Sequence, residues 1–133
     1  MEARPKIVVL CGSTRFYREF QRANYEETMA GRIVLSVGFY PGALADEHGE
    51  ERGCTPDQKV ALDDLHLHKI DLADESFILN VSGYIGESTR RELAYTIWRG
   101  KGLRFLEPEA GERFMEEHPH ALGKMAADFM LNG

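Results

Sequence analysis

An unbroken apolar run, Ile7-Val-Val-Leu-Cys11, stops at Gly12-Ser13-Thr14 and gives way to a segment with helical spacing. A strand with one wet face alternates apolar and polar residues. A strand apolar at every position must be covered on both faces, which is the condition of a central strand in a parallel sheet. The same succession recurs. Arg32 to Val37 and Ser76 to Val81 are further apolar runs, and Leu103-Arg-Phe-Leu106 is a shorter one that ends before Pro108. Parallel strands need crossover connections, and helical segments lie between these runs. The chain is therefore expected to be α/β, a three-layer flavodoxin-like (Rossmann-like) sandwich with a mostly parallel sheet.

The helical segments have readable ends. From Arg15 to Ala30 the spacing of Phe16, Phe20, Ala23 and Met29 predicts an amphipathic helix, with Gly31 as its C′ residue. Thr55-Pro56-Asp57-Gln58 predicts a helix start, with Thr55 as N-cap, Pro56 at N1 and Gln58 closing a capping box. Ala61, Leu65 and Leu72 mark the expected buried face of that helix, with Ile70 beside it. A third helix is expected from about Thr89 to Arg99, burying Leu93, Ala94, Ile97 and Trp98. Glu112 to Leu131 reads as helical in one or two pieces, interrupted near Pro119. The stretch from Gly38 to Cys54 is a long irregular loop and is expected to hold specificity. With 133 residues the chain has room for one domain, with a core over about 6–108 and a helical tail over about 109–133.

Composition narrows the function. A net charge of −6 argues against a nucleic acid polymer as partner, while leaving room for a small anion held locally. Only two cysteines, Cys11 and Cys54, are present, and no CxxC pair. Neither a structural zinc site nor a redox pair is expected, and Cys11 reads as a small buried hydrophobe. The apolar run after the N-terminus is too short for a signal peptide or a membrane span, so a cytoplasmic protein with no membrane partner is expected.

In a parallel sheet the strand-end loops share one edge, where ligands bind. Gly12, Ser13 and Arg15 follow the first strand, and free amides, hydroxyls and a guanidinium suit an anion there. A plain turn capped by Ser13 or Thr14 is the rival reading. Gly83, Tyr84 and Gly86 belong to the glycine-bearing loop after the third strand, which leads to Ser88 and Glu92. Tyr17 and Tyr84 lie at loop edges, where each can stack on a base or simply pack. Spacing leaves Glu92 between two roles, a capping box with Thr89 and a catalytic carboxylate. The first helical turn is expected to keep it ionised in either. His66 and His68 are two apart on a helix and so point apart; no metal site is expected from them. Among Asp63, Asp64, Asp71 and Asp74, one near the helix C-terminus is expected to reach the crevice.

These residues, taken in order, resemble the nucleoside 2-deoxyribosyltransferase-like superfamily, which includes nucleoside deoxyribosyltransferases and nucleoside-monophosphate N-glycosidases. The resemblance runs from Lys6 to about Pro108. It rests on Ile7-Val-Val-Leu-Cys-Gly-Ser-Thr-Arg-Phe16, Lys69-Ile-Asp-Leu-Ala-Asp74, and Gly83-Tyr-Ile-Gly-Glu-Ser-Thr-Arg-Arg-Glu-Leu-Ala-Tyr95 with Gly100-Lys101 behind it. A bacterial and phage branch with poorly defined substrates carries the last string. The resemblance implies that Glu92 is the nucleophile, attacking C1′ of the sugar to give a glycosyl-enzyme. It also implies that Gly12, Ser13 and Arg15 face sugar or phosphate and that Ser88 lies near a 5′-phosphate. A nucleoside or nucleotide substrate, no cofactor, and a homodimer or higher homo-oligomer follow from it. Two positions depart from the pattern. His66 stands where transferases often carry an aspartate, which leaves the general acid open, with Asp63 or Asp64 as substitutes if the helix register shifts. Ser88-Thr-Arg-Arg91 is bulky where phosphate-cleaving relatives are glycine-rich. The alternatives are a non-catalytic nucleotide-binding or sensing module and a nicotinamide-dinucleotide or ADP-ribose glycohydrolase.

Overall fold

The computed structural model describes residues 3–38 and 55–132. The elements, in chain order, are β1 (Ile7–Cys11), α1 (Tyr17–Met29), β2 (Ile33–Leu35), α2 (Pro56–Leu72), β3 (Glu75–Ile78), α3 (Glu87–Trp98), β4 (Gly102–Phe105), α4 (Pro108–Glu117) and α5 (Pro119–Asn132). The strands form one sheet in the order β2-β1-β3-β4, and every pairing is parallel. The expected α/β, flavodoxin-like layering is what the chain adopts.

The two central strands are β1 and β3, and their residues explain that placement. Val8 to Cys11 and Glu75 to Ile78 are buried along the whole run. Val8, Leu10, Phe77 and Leu79 pack with Phe20 and Ala23 of α1 on one face. Val9, Cys11 and Ile78 pack with Leu67 and Ile70 of α2 on the other. Beyond that second face α3 carries α5, with Leu93 and Ala94 against Leu122. The ladder continues at the amino ends of the strands through Asp74. Its carboxylate accepts from the Ile7 amide at 2.8 Å and pairs with Arg4 at 2.7 Å.

Several sequence expectations need correction. The run at 32–37 is a three-residue edge strand with Ile33 exposed, not a strand buried on both faces. Apolar composition marks a strand but not its place in the sheet. In α1 Met29 is exposed, and Glu27 is buried instead, in ion pairs with Arg104 and Arg32. In α2 the face of Leu65 and Leu72 is the exposed one, and His66, Leu67 and Ile70 are buried. In α3 Ile97 is exposed and Thr96 buried, where its hydroxyl meets Ser76 at 2.8 Å and donates to the Glu92 carbonyl.

Other expectations hold. Thr55 and Gln58 form the capping box, with Pro56 in the first turn. Gly31 closes α1 in the left-handed region at φ +89°. The tail is two helices parted at Pro119. The loop from 39 to 54, with Cys54, lies outside the described residues. Among the described residues no helix is long and apolar enough to cross a membrane.

Candidate active site

At the carboxyl ends of the strands, the loop after β1, the stretch of α2 from Lys59 to Lys69 and the start of α3 line a cavity of about 420 Å³. Each wall follows from local chemistry. After Cys11 the chain turns at Gly12. The Ser13 hydroxyl then accepts from the Arg15 amide at 3.3 Å and caps a short 3₁₀ turn, the plain-turn role anticipated for it. After β3 the side chain of Asn80 pairs with both backbone groups of Glu107, at 2.8 and 2.9 Å. This pins a turn in which Ser82 and Gly83 both take positive φ, at 53° and 79°. Glycine tolerates that conformation without cost. The turn aims the chain at Tyr84 and Gly86, and Gly86 is the N-cap of α3.

Helix α3 therefore begins at Glu87, not at Thr89. Thr89 is buried within its first turn, and Glu92 lies one turn further on, too far along for a capping box. No side chain caps this helix. Glu92 instead turns its carboxyl into the cavity wall with 8% of the residue exposed. There it meets His66 of α2, with Oε1 to Nε2 at 3.9 Å, and His66 in turn shares a 3.5 Å hydrogen bond with the Cys11 thiol.

The electrostatics differ from the expectation of an ionised Glu92. Loss of hydration pushes its carboxyl up to about 8, with Asp63 adding to the rise. The helix-end field, worth about 0.3–1 kcal/mol, is too weak to offset burial. Burial and then the Lys69 charge pull His66 down to about 4. Burial raises the Cys11 thiol well above its usual value, and Glu92 adds to this. At neutral pH the trio is therefore a protonated acid, a neutral imidazole and a neutral thiol.

Six of the nine residues expected at the site line this cavity: Gly12, Ser13, Tyr84, Gly86, Ser88 and Glu92. Arg15 does not line it. Its guanidinium lies over the Tyr84 ring, 4.4 Å from the centroid. The Tyr17 hydroxyl accepts from Gln21 at 2.6 Å, away from the lining. Gly83 shapes the turn, and its α-carbon faces Ala110 rather than the cavity.

The largest group beyond those nine comes from α2, and of it only Asp63 and His66 drew attention in the sequence, in the question of the general acid. Lys59, Leu62, Asp63, His66 and Lys69 all line the cavity. A signal was present. These residues fall three or four apart and continue into buried Ile70, so they share one helical face. Of the α2 aspartates, Asp63 reaches the crevice while Asp64 points out towards Arg91. The expected end of the helix was the wrong one. Asp71 and Asp74 lie at its far end, where Asp71 takes the Tyr95 hydroxyl and Asp74 takes Arg4. A helix that returns between parallel strands runs against them, so its N-terminal half faces their carboxyl ends.

Lys59 sits between two partners, Asp63 at 3.2 Å and the Ser88 hydroxyl at 3.3 Å. A cation thus stands beside the first-turn amides of α3, a favourable place for an anionic group. His66 and His68 diverge as expected, His66 buried and His68 exposed. Among the described residues Cys11, His66 and Glu92 are the donors placed to share a metal ion.

No family model, curated protein or solved structure matches the chain.

Proposed function

We propose that this protein cleaves or transfers the N-glycosidic bond of a nucleoside or nucleoside 5′-monophosphate, with Glu92 as nucleophile. The observation that carries the reading is the position of Glu92, which serves no helix cap and presents a buried carboxyl to a ligand-sized cavity at the carboxyl edge of a parallel sheet. A Glu92 oxygen bonds to C1′ while the C1′–N bond breaks and its electron pair leaves with the base. Water then releases the sugar, or a second base takes it. Attack requires the carboxylate, so the Glu92 proton must leave first. Asp63 and His66, which line the cavity with it, are candidates to exchange a proton with the departing base. Lys59, Ser88 and the first-turn amides of α3 are suited to a 5′-phosphate. In this reading the protein works in the cytoplasm as a homodimer or larger homo-oligomer, and sedimentation measures the latter.

Chromatography of nucleosides and their monophosphates after incubation with the protein tests the reading. Free base should appear, and Glu92→Gln and Glu92→Ala should abolish it. One observation favours a second reading, a nucleotide-binding module without catalysis: at neutral pH Glu92 is protonated and can donate a hydrogen bond. In that case Glu92→Gln would retain nucleotide affinity and the wild type would release no base.

A further inference from the structure

The same wall of the cavity brings together a soft sulfur, a borderline imidazole nitrogen and a hard carboxyl oxygen from three separate elements. Cys11 ends β1, His66 lies within α2 and Glu92 within α3. Cys11 Sγ is 3.5 Å from His66 Nε2, and that nitrogen is 3.9 Å from Glu92 Oε1. All three donor atoms fall within 4.8 Å of one another, and all three residues are buried. Burying a carboxyl and an imidazole is costly unless they find partners, and packing alone would be served better by apolar side chains.

We propose that Cys11, His66 and Glu92 form a binding site for a thiophilic divalent cation, Zn²⁺ fitting best, with the fourth coordination position open to the cavity. Zinc bonds to sulfur, nitrogen and oxygen at about 2.3, 2.0 and 2.1 Å place the ligand atoms of a tetrahedral centre roughly 3.3–3.6 Å apart. The sulfur–nitrogen separation already matches. The Glu92 oxygen must close on the imidazole nitrogen by about half an ångström, and on Cys11 Sγ from within 4.8 Å to about 3.6 Å. A sulfur, nitrogen and oxygen donor set selects against Mg²⁺ and Ca²⁺, which take oxygen ligands.

Charge balances. The thiol and the carboxyl coordinate as anions, each releasing its proton to solvent, and the imidazole contributes a neutral lone pair. Two negative ligands offset one dication. The nearby ammonium groups are engaged elsewhere, Lys69 with the Ser36 carbonyl at 2.7 Å and Lys59 with Asp63. His66 and Glu92 line the cavity and Cys11 lies buried beside them, so the open position faces the cavity. The ion would occupy the carboxylate that the glycosidic reading needs, so metal and C1′ attack exclude each other. The proposal stands on geometry and does not depend on that reading.

Titration of Co²⁺ into the full chain, freed of metal by a chelator and desalted, tests the proposal. One equivalent should bind with a thiolate-to-cobalt charge-transfer absorption, and Zn²⁺ should displace it. Cys54→Ser should keep the absorption and Cys11→Ser should lose it. Glu92→Gln preserves side-chain shape and should weaken Co²⁺ binding by at least about tenfold. Absence of the charge-transfer band in the wild type overturns the proposal, as does a band that survives Cys11→Ser. If Cys11→Ser fails to fold, the wild-type titration and Glu92→Gln still decide, and unchanged affinity in Glu92→Gln overturns it. The readout is absorbance, so a protein that binds Co²⁺ but releases no base separates this proposal from the glycosidic one.

Discussion

His66 Nε2 and Glu92 Oε1 lie 3.9 Å apart, both shielded from water, with the proton held by the acid and not by the base. A neutral pair of this kind costs less to bury than an ion pair, whose desolvation can exceed its attraction. It also means that a nucleophile at this place must be uncovered by losing a proton.

The first prediction concerns activity and pH. On metal-free protein, kcat/KM for base release should rise as pH increases through about 8, where Glu92 ionises, and then level off. Glu92→Gln and Glu92→Ala should reduce the rate at least about 10³-fold across the range, as expected for loss of a nucleophile. Undiminished release by Glu92→Ala would show that another group does the chemistry.

Stability should carry the same signature. The folded state raises the Glu92 pKa from 4.5 to about 8, so it binds the Glu92 proton more tightly than the unfolded chain does. That contribution is complete below pH 4.5 and is lost as pH climbs towards 8. His66 acts oppositely, lowered from 6.5 to about 4, and its contribution is nearly complete above pH 6.5. Between pH 6.5 and 8 unfolding free energy should therefore fall by about 1–2 kcal/mol. In Glu92→Gln that slope should vanish, and urea titrations at several pH values measure it.

Lys59 should discriminate nucleotides from nucleosides. It is the cation beside Ser88 at the start of α3. A hydrogen bond to a charged group contributes about 1.5–3 kcal/mol. Lys59→Met should therefore weaken binding of a nucleoside 5′-monophosphate by about tenfold or more while changing nucleoside binding little. Calorimetry on the two ligands checks the ratio, and equal losses would place the phosphate elsewhere.

Gly111 tests the packing under the tail. It is buried inside α4, where alanine ordinarily stabilises by about 1 kcal/mol. Here a β-carbon would collide with the Phe105 ring. Gly111→Ala should instead destabilise by about 1–3 kcal/mol, the usual cost of overpacking, as read by denaturant midpoint. A stabilised variant would mean that Phe105 can move aside.

Much of this was legible in the sequence because it is encoded locally. Ile7 to Cys11 announces a strand covered on both faces, and Thr55 to Gln58 carries the whole signal of a capped helix start. The crevice follows from the parallel order, and Glu92 is delivered to it by a loop whose glycines are visible in the string. Other features were misread where two local patterns compete. Thr89 to Glu92 has the spacing of a capping box, but the cap falls three residues earlier, on Gly86, which has no side chain to give it away. In α2 the leucines at 65 and 72 are exposed, the buried face is His66, Leu67 and Ile70, and a lysine and an aspartate line the cavity beside it.

The sequence by itself determined most of the elements and their order, since these depend on residues within a few positions of one another, and the parallel order places the crevice. Only the tertiary structure decided that Cys11, His66 and Glu92 meet in one buried cluster, because 55 and 26 residues of chain separate them. It also decided their protonation. A carboxyl's pKa depends on how much water it loses and which charges face it, and both are set by the closing of the sheet and helices around it.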